Sequence, residues 1–150
     1  MLPGARAPES YRPRAPAFPP GAGLRILLVE DDPDSAEALR WALELHGHRV
    51  EVAGDGLAAL AAARAILPDV LICDLGLPGL SGLEVGRRLA AERTGPRPAL
   101  LALSGYSSLE DAARSRAAGF DHHIGKPVPL DELLGLLAAL AGDGGGAPGR

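Results

Sequence analysis

Short apolar runs recur along this chain, and each is followed by a segment with helical periodicity. Three of these runs are Leu24–Val29, Val70–Cys73 and Ala99–Leu103. Strands that alternate with helices typically form a parallel sheet with helices on both faces. The carboxyl ends of parallel strands lie along one edge of the sheet, where open α/β folds bind their ligands. The residues directly after these runs are therefore the candidates for a functional site.

The same pattern predicts five strands and five helices. The run His48–Ala53 is more polar, so we expect it at the edge of the sheet, and the fifth strand is Phe120–Ile124. Asp32 followed by Pro33 is a typical helix start, with a side-chain cap and a proline in the first turn. The expected helices span residues 33–46, 56–67, 82–93, 107–118 and 130–140. Leucines at helical spacing make the last of them the clearest.

Composition limits the class of protein. A chain of 150 residues with 47% apolar residues supports a single core. A net charge of −4 and an aromatic content of 3% argue against a nucleic-acid partner. The single cysteine, Cys73, rules out an intramolecular disulfide, and no apolar stretch approaches the roughly 18 residues of a membrane helix. We expect a soluble, cytoplasmic protein that binds neither nucleic acid nor membrane.

The two ends of the chain differ from the middle. Residues 1–23 are rich in proline, glycine and arginine, which predicts a disordered arm, and they contain no hydrophobic signal-peptide region. Residues 24–141 form the expected folded domain. Residues 142–150 form a flexible, glycine-rich tail. Because only this tail follows the domain, we expect no output domain and a signal that leaves through a partner.

Acidic residues follow two of the predicted strands. Glu30 and Asp31 follow the first strand, and Asp74 follows the third. If these strands are neighbours, three carboxylates meet at one edge and repel each other unless a hard cation neutralises them. Oxygen ligands suit Mg²⁺. For Glu30 and Asp31 taken alone, a solvated strand end explains the sequence equally well.

Asp74 is the strongest single candidate, because a carboxylate directly after four apolar residues lies at the rim of a core and costs desolvation energy. A cation and a lysine would offset that cost, and such a carboxylate can act as a nucleophile towards phosphorus. Ser104, after the fourth strand, can donate a hydrogen bond to a phosphoryl oxygen, and Lys126 can neutralise its charge. Singly, Ser104 and Lys126 are better explained as ordinary surface residues. Together they favour phosphoryl chemistry.

These motifs together resemble the response-regulator receiver domain of two-component signalling, the family of CheY. The matching segments are Leu27–Asp31, Pro68–Gly82, Leu103–Gly105 and Lys126–Pro127. The resemblance covers residues 24–141. It implies an α/β, flavodoxin-like, doubly wound fold with a five-stranded parallel sheet in the order 2-1-3-4-5 and five helices.

The resemblance also implies residue roles. Asp74 is the phosphoacceptor, Ser104 the switch hydroxyl and Lys126 the lysine that binds the phosphoryl group. The residues implied to hold magnesium are Glu30, Asp31, Asp74 and, through its carbonyl, Gly76.

Three positions depart from the family pattern or vary within it. His123 stands three residues before the lysine, where the family usually has an aromatic switch residue. A histidine can rotate and pack in the same way, but it is smaller and titrates near neutrality. Tyr106, two residues after Ser104, and Gly76 occupy positions that tune phosphoryl lifetime in the family. His122 and His123 do not suggest a metal site, because adjacent strand residues point to opposite faces.

The implied function is a phosphorelay step. A sensor histidine kinase or a histidine phosphotransfer protein donates the phosphoryl group to Asp74 with Mg²⁺. The chain hydrolyses it slowly without being an enzyme in the usual sense, and a downstream protein reads the surface of helix 4, strand 5 and helix 5. The alternatives are a receiver-like scaffold that is not phosphorylated and the excised receiver of a hybrid sensor kinase. A phosphatase with an aspartate nucleophile would need a second acid where Gly76 stands.

Overall fold

The computed structural model describes residues 23–92, 97–105 and 109–144, with side chains up to residue 141. Five strands alternate with five helices. The strands are β1 Arg25–Val29, β2 Arg49–Ala53, β3 Val70–Asp74, β4 Ala99–Ser104 and β5 His122–Gly125. The helices are α1 Pro33–Leu45, α2 Gly56–Ile66, α3 Gly82–Ala91, α4 Leu109–Ala117 and α5 Leu130–Gly144.

The strands form one parallel sheet in the order β2-β1-β3-β4-β5, which confirms the predicted topology. Val29 of β1 lies opposite Cys73 of β3, so the residues that follow these two strands leave the sheet side by side. Ser104 of β4 lies opposite Gly125 of β5, directly before Lys126. This register brings the ends of β1, β3, β4 and β5 to one edge.

The sheet separates two apolar clusters because successive strand residues point to opposite faces. In β1, Leu27 and Val29 belong to one cluster, and Ile26 and Leu28 to the other. The first cluster takes in residues of α2 and α3, among them Leu60, Val85 and Leu89. The second takes in residues of α1 and α5, among them Leu43, Leu133 and Leu137. β3 is buried along its whole length, whereas three of the five β2 residues are exposed, as expected for an edge strand.

Side-chain caps fix where three helices begin. Asp32 accepts a hydrogen bond from the Ser35 N–H at the start of α1, where Pro33 occupies the first turn, as predicted. Asp55 caps α2 and Ser81 caps α3 in the same way. Gly82 also lets α3 begin against the end of β3, because a Cβ at this position would collide with the carbonyl of Asp74.

The element ends differ from the sequence prediction by a few residues. α5 continues to Gly144, so residues 142–144 extend the helix into the segment assigned to the flexible tail. Extending an existing helix adds one hydrogen bond for each residue fixed, so a glycine does not always stop it. The expected arm up to residue 22, the tail from residue 145 and the predicted helix starts and ends at residues 93 and 107 lie outside the described residues.

His48 links the starts of β1 and β2 at the amino-terminal end of the sheet. Its side chain is buried, and its Nδ1 accepts a hydrogen bond from the Leu24 N–H at 3.1 Å. Burial lowers the pKa of His48 from 6.5 to about 4, with a smaller contribution from nearby His46. The neutral imidazole is therefore the form that fits the folded protein.

We predict that His48 makes the folded state sensitive to acid. The pKa of His48 is lower in the folded protein than in the unfolded chain. Its contribution to the free energy of unfolding is therefore complete above pH 6.5, the pKa in the unfolded chain, and is lost as the pH falls towards 4. The loss amounts to about 3 kcal/mol in the free energy of unfolding. Urea unfolding at a series of pH values measures it, with His122→Gln as a matched histidine replacement. Equal pH dependence in wild type and His48→Gln would contradict the prediction.

Candidate functional site

Three carboxylates meet where β1 and β3 end. Glu30 and Asp31 follow β1, and Asp74 is the last residue of β3. One ligand oxygen from each lies within 4.8 Å of the others, as the sequence predicted. Glu30 and Asp74 are buried, whereas Asp31 is exposed. The group offers only oxygen ligands, which suits a hard divalent cation.

Lys126 lies between the two buried acids. Its Nζ is 3.0 Å from Asp74 Oδ2 and 3.1 Å from Glu30 Oε1. The Lys126 N–H donates to the Ser104 carbonyl at 2.7 Å, which continues the β4–β5 ladder by one residue and fixes the lysine at this edge. The Lys126–Pro127 peptide bond is cis.

The charge of Lys126 is set by opposing effects. Burial alone would lower the pKa of Lys126, but hydrogen bonds to Asp74 and Glu30 outweigh it, and the pKa lies above its ordinary value. The lysine therefore stays protonated at neutral pH. Lys126 is also the only lysine of the chain, and all the other residues with a full positive charge at neutral pH are arginines. This compositional signal marks the position, and the sequence interpretation did not use it.

The carboxylate of Asp74 is held at both oxygens. Oδ2 accepts from Lys126, and Oδ1 accepts from the Gly76 N–H at 2.9 Å. A Cβ at Gly76 would come within 3.5 Å of the same Oδ1. Fixed donors around one carboxylate prepare it for charge that develops during group transfer.

The neighbouring acids have different environments. Glu30 accepts a hydrogen bond from the Asp32 N–H at 3.2 Å in addition to its bond with Lys126. The side chain of Asp32 points into α1, where hydrogen bonds from the Ser35 hydroxyl and N–H hold the pKa of Asp32 below its ordinary value. Asp32 is therefore occupied as a helix cap, as the sequence predicted, and does not belong to the acidic group.

A cavity of about 270 Å³ opens beside Asp74 on the side of α4. Its lining residues are Asp74, Leu75, Gly76, Leu83, Ser104, Gly105, Asp111 and Arg114. Ser104 is buried at the end of β4 and faces the same cavity as Asp74. Sequence reasoning missed Asp111 and Arg114, because an acid and an arginine three residues apart on a helix look like an ordinary surface pair.

The structure describes some of the predicted switch residues and not others. His123 is half-buried on β5, and its Nε2 is buried without a hydrogen-bond partner among residues 23–92, 97–105 and 109–141. His122, the adjacent residue on β5, does not join the acidic group. Tyr106, the other residue expected to tune the site, lies outside the described residues.

Comparison with known proteins agrees with this geometry. A family model described as the response regulator receiver domain matches residues 26–138. The chain belongs to this family. It is 39% identical over 120 residues to the probable transcriptional regulatory protein TcrX of Mycobacterium tuberculosis, and 39% identical over 117 residues to the response regulator MprA of Mycobacterium avium. These matches cover 80% and 78% of the chain and 50% of each relative, so the receiver domain spans about half the length of these curated relatives.

Solved structures show the same fold. The chemotaxis response regulator CheY4 of Vibrio cholerae has a TM-score of 0.73 at 27% identity, covering 79% of this chain and 98% of that one. The receiver domain of sensor histidine kinase PA1611 from Pseudomonas aeruginosa has a TM-score of 0.72 at 31% identity, covering 80% and 98%. The latter was crystallised with a magnesium ion coordinated in its active site cleft. The predicted family and fold are thereby confirmed.

Composition argued against a membrane span and against a nucleic-acid partner, and the two expectations have different support. None of the helices among the described residues is long and apolar enough to cross a membrane. The expected absence of a nucleic-acid partner gains no support, because TcrX is named as a transcriptional regulatory protein. That exclusion stays a prediction about this domain.

We predict that Lys126→Met destabilises the fold by about 1–3 kcal/mol, because it leaves Glu30 and Asp74 buried without their cation. With 31% of the Lys126 side chain exposed, the loss is smaller than for a fully buried pair. Added Mg²⁺ reduces the loss, since a cation that binds the folded state stabilises it. Urea unfolding with and without Mg²⁺ measures both effects.

The matched control is Arg40→Met, which removes an exposed cation from the pairs with Glu37 and Glu44 and changes stability by less than about 1 kcal/mol. A Lys126→Met protein as stable as wild type, or one whose loss Mg²⁺ leaves unchanged, would count against this account of the acidic group.

Proposed function

We propose that this receiver domain accepts a phosphoryl group on Asp74 from a phosphohistidine of a sensor histidine kinase or a histidine phosphotransfer protein. The observation that carries the proposal is the Asp74 carboxylate, bound to Lys126 at 3.0 Å and opening onto a cavity that Ser104 also lines. An acid, an ammonium and a hydroxyl around free space are the groups that phosphoryl transfer requires.

In the proposed transfer, a carboxylate oxygen of Asp74 attacks phosphorus and the phosphorus–nitrogen bond of the donor breaks. The electron pair of that bond returns to the imidazole nitrogen, and Asp74 becomes an acyl phosphate. Lys126 stays protonated and neutralises phosphoryl oxygens, while Ser104 donates a hydrogen bond to one of them. Slow attack by water on phosphorus then breaks the bond to the Asp74 oxygen, releases inorganic phosphate and returns the carboxylate. The domain therefore turns over only its own phosphoryl group and is not an enzyme for other substrates.

We propose Mg²⁺ as the cofactor of this transfer. Glu30, Asp31 and Asp74 present oxygens within 4.8 Å of one another, and the carbonyl of Gly76 is the fourth proposed ligand. When bound, Mg²⁺ supplies positive charge that offsets the developing charge of the phosphoryl group. The magnesium ion in the cleft of the PA1611 receiver domain supports this assignment.

The signal is proposed to leave through the surface of α4, β5 and α5. The phosphoryl group itself carries about −1.5 to −2 charges, by analogy with other phosphorylated residues. Because Asp74 loses its carboxylate charge when the acyl phosphate forms, the site becomes more negative by about one charge. Ser104 would move towards that charge, and His123 on the neighbouring strand would adjust its packing. We place the domain in the cytoplasm, and we propose that it contacts neither nucleic acid nor membrane itself, because the chain is acidic and poor in aromatic residues.

Incubation with acetyl phosphate and Mg²⁺ tests the proposal. Intact-mass spectrometry is expected to show a gain of one phosphoryl group in the wild type and none in Asp74→Asn. Removal of Mg²⁺ by EDTA abolishes the gain. Asp34→Asn, an exposed replacement of the same kind in the first turn of α1, retains it.

An equal gain in Asp74→Asn would move the acceptor to another residue. No gain in the wild type would leave the unphosphorylated scaffold as the function of this domain.

A further inference from the structure

The cavity beside Asp74 has a wall that the proposed transfer does not use. Asp111 and Arg114, both on α4, line it together with Asp74 and Ser104. Gly76 and Gly105 contribute only backbone, and among the described residues a Cβ at Gly105 would meet nothing within 4 Å. The α4 wall therefore faces open space next to the reactive carboxylate.

The two α4 side chains form a loose ion pair. Arg114 Nη2 lies 3.5 Å from Asp111 Oδ1, longer than the 3.0 Å of Lys126 to Asp74. The Arg114 side chain is 61% exposed, whereas that of Asp111 is 20% exposed. A long and solvated pair of this kind contributes little to stability, so its arginine exchanges partners easily.

The cavity becomes more negative when a phosphoryl group enters. Before transfer, the α4 wall is neutral overall, and Lys126 is already shared between Asp74 and Glu30. The entering group carries about two negative charges and Asp74 gives up one, so the site beside Asp111 becomes more negative by about one charge. Arg114 is the one cationic side chain that lines this cavity among the residues described, and a guanidinium can bind two phosphoryl oxygens at once.

We propose that Arg114 is a phosphoryl-binding residue of this site and that Asp111 holds it in an ion pair before transfer. It leaves Asp111 and contacts the oxygens of the phosphoryl group, both on the incoming donor and on Asp74. The contact gives α4 a direct link to the phosphorylated site. This inference rests on the proposed phosphoryl transfer to Asp74.

The initial rate of phosphorylation by acetyl phosphate, below saturation and with Mg²⁺ present, tests the proposal. Arg114→Gln is expected to lower this rate about five-fold, and Arg114→Lys to recover part of it because the charge remains. Added salt should narrow the gap between wild type and Arg114→Gln. Arg116→Gln removes the same charge from an exposed position on α4 outside the cavity and leaves the rate near that of wild type.

Asp111→Asn distinguishes a binding role from a structural one. If Asp111 only forms a structural pair, its replacement and that of Arg114 lower the rate alike. If Asp111 competes with the phosphoryl group for Arg114, Asp111→Asn raises the rate of phosphorylation. In the Arg114→Gln background the increase shrinks, although one repulsive charge is still removed, so a double-mutant cycle isolates the coupling. Urea unfolding of each variant checks that the fold is intact.

Three results would overturn the inference: an Arg114→Gln rate equal to that of Arg116→Gln, an Asp111→Asn rate lower than wild type, or an Asp111→Asn increase of the same size in both backgrounds. A wild-type protein that gains no phosphoryl group defeats the proposed function itself. That failure is separate, because it appears before any α4 variant is compared.

Discussion

The structure of this receiver domain depends on one ammonium group placed between two buried carboxylates. Glu30 and Asp74 lie close enough to share Lys126, at 3.1 Å and 3.0 Å. Without that cation, two negative charges would remain in a poorly solvated edge of the sheet, at a cost that desolvation makes large. The same arrangement keeps the lysine protonated, because the hydrogen bonds that it donates to both acids outweigh its burial. Charge balance and reactivity therefore have a single origin.

The sheet makes this charge balance possible. Asp74 ends a strand whose every residue is buried, and β1 and β4 flank that strand on either side. The hydrogen bond from the Lys126 N–H to the Ser104 carbonyl carries the β4–β5 pairing one residue beyond the strand and delivers the lysine. Apolar clusters on both faces hold the strands in this register. The site is thus a consequence of parallel packing, since antiparallel neighbours would send half of these residues to the opposite edge.

The cationic side chains on the two sides of Asp74 differ in how tightly they are held in place. On one side, Lys126 is fixed by two short ion pairs and by backbone pairing. On the other, the exposed Arg114 pairs with Asp111 at the longer distance of 3.5 Å. A rigid side that prepares the carboxylate and a loosely held side that can follow a new charge together suit a domain whose chemistry must be reported to a partner. α4 carries the loose side, and it belongs to the surface proposed for output.

The sequence by itself determined the elements and their class, because periodicity, proline and capping side chains such as Asp32 act over a few residues. It also marked Glu30, Asp31, Asp74 and Lys126 as candidates through their places after apolar runs. Only the tertiary structure decided which charges meet, since Lys126 is 96 residues from Glu30 and 52 from Asp74. Burial separated Glu30 from the exposed Asp31, and packing put the Asp111–Arg114 pair beside the cavity. Such contacts depend on strand order and register, which local patterns do not encode.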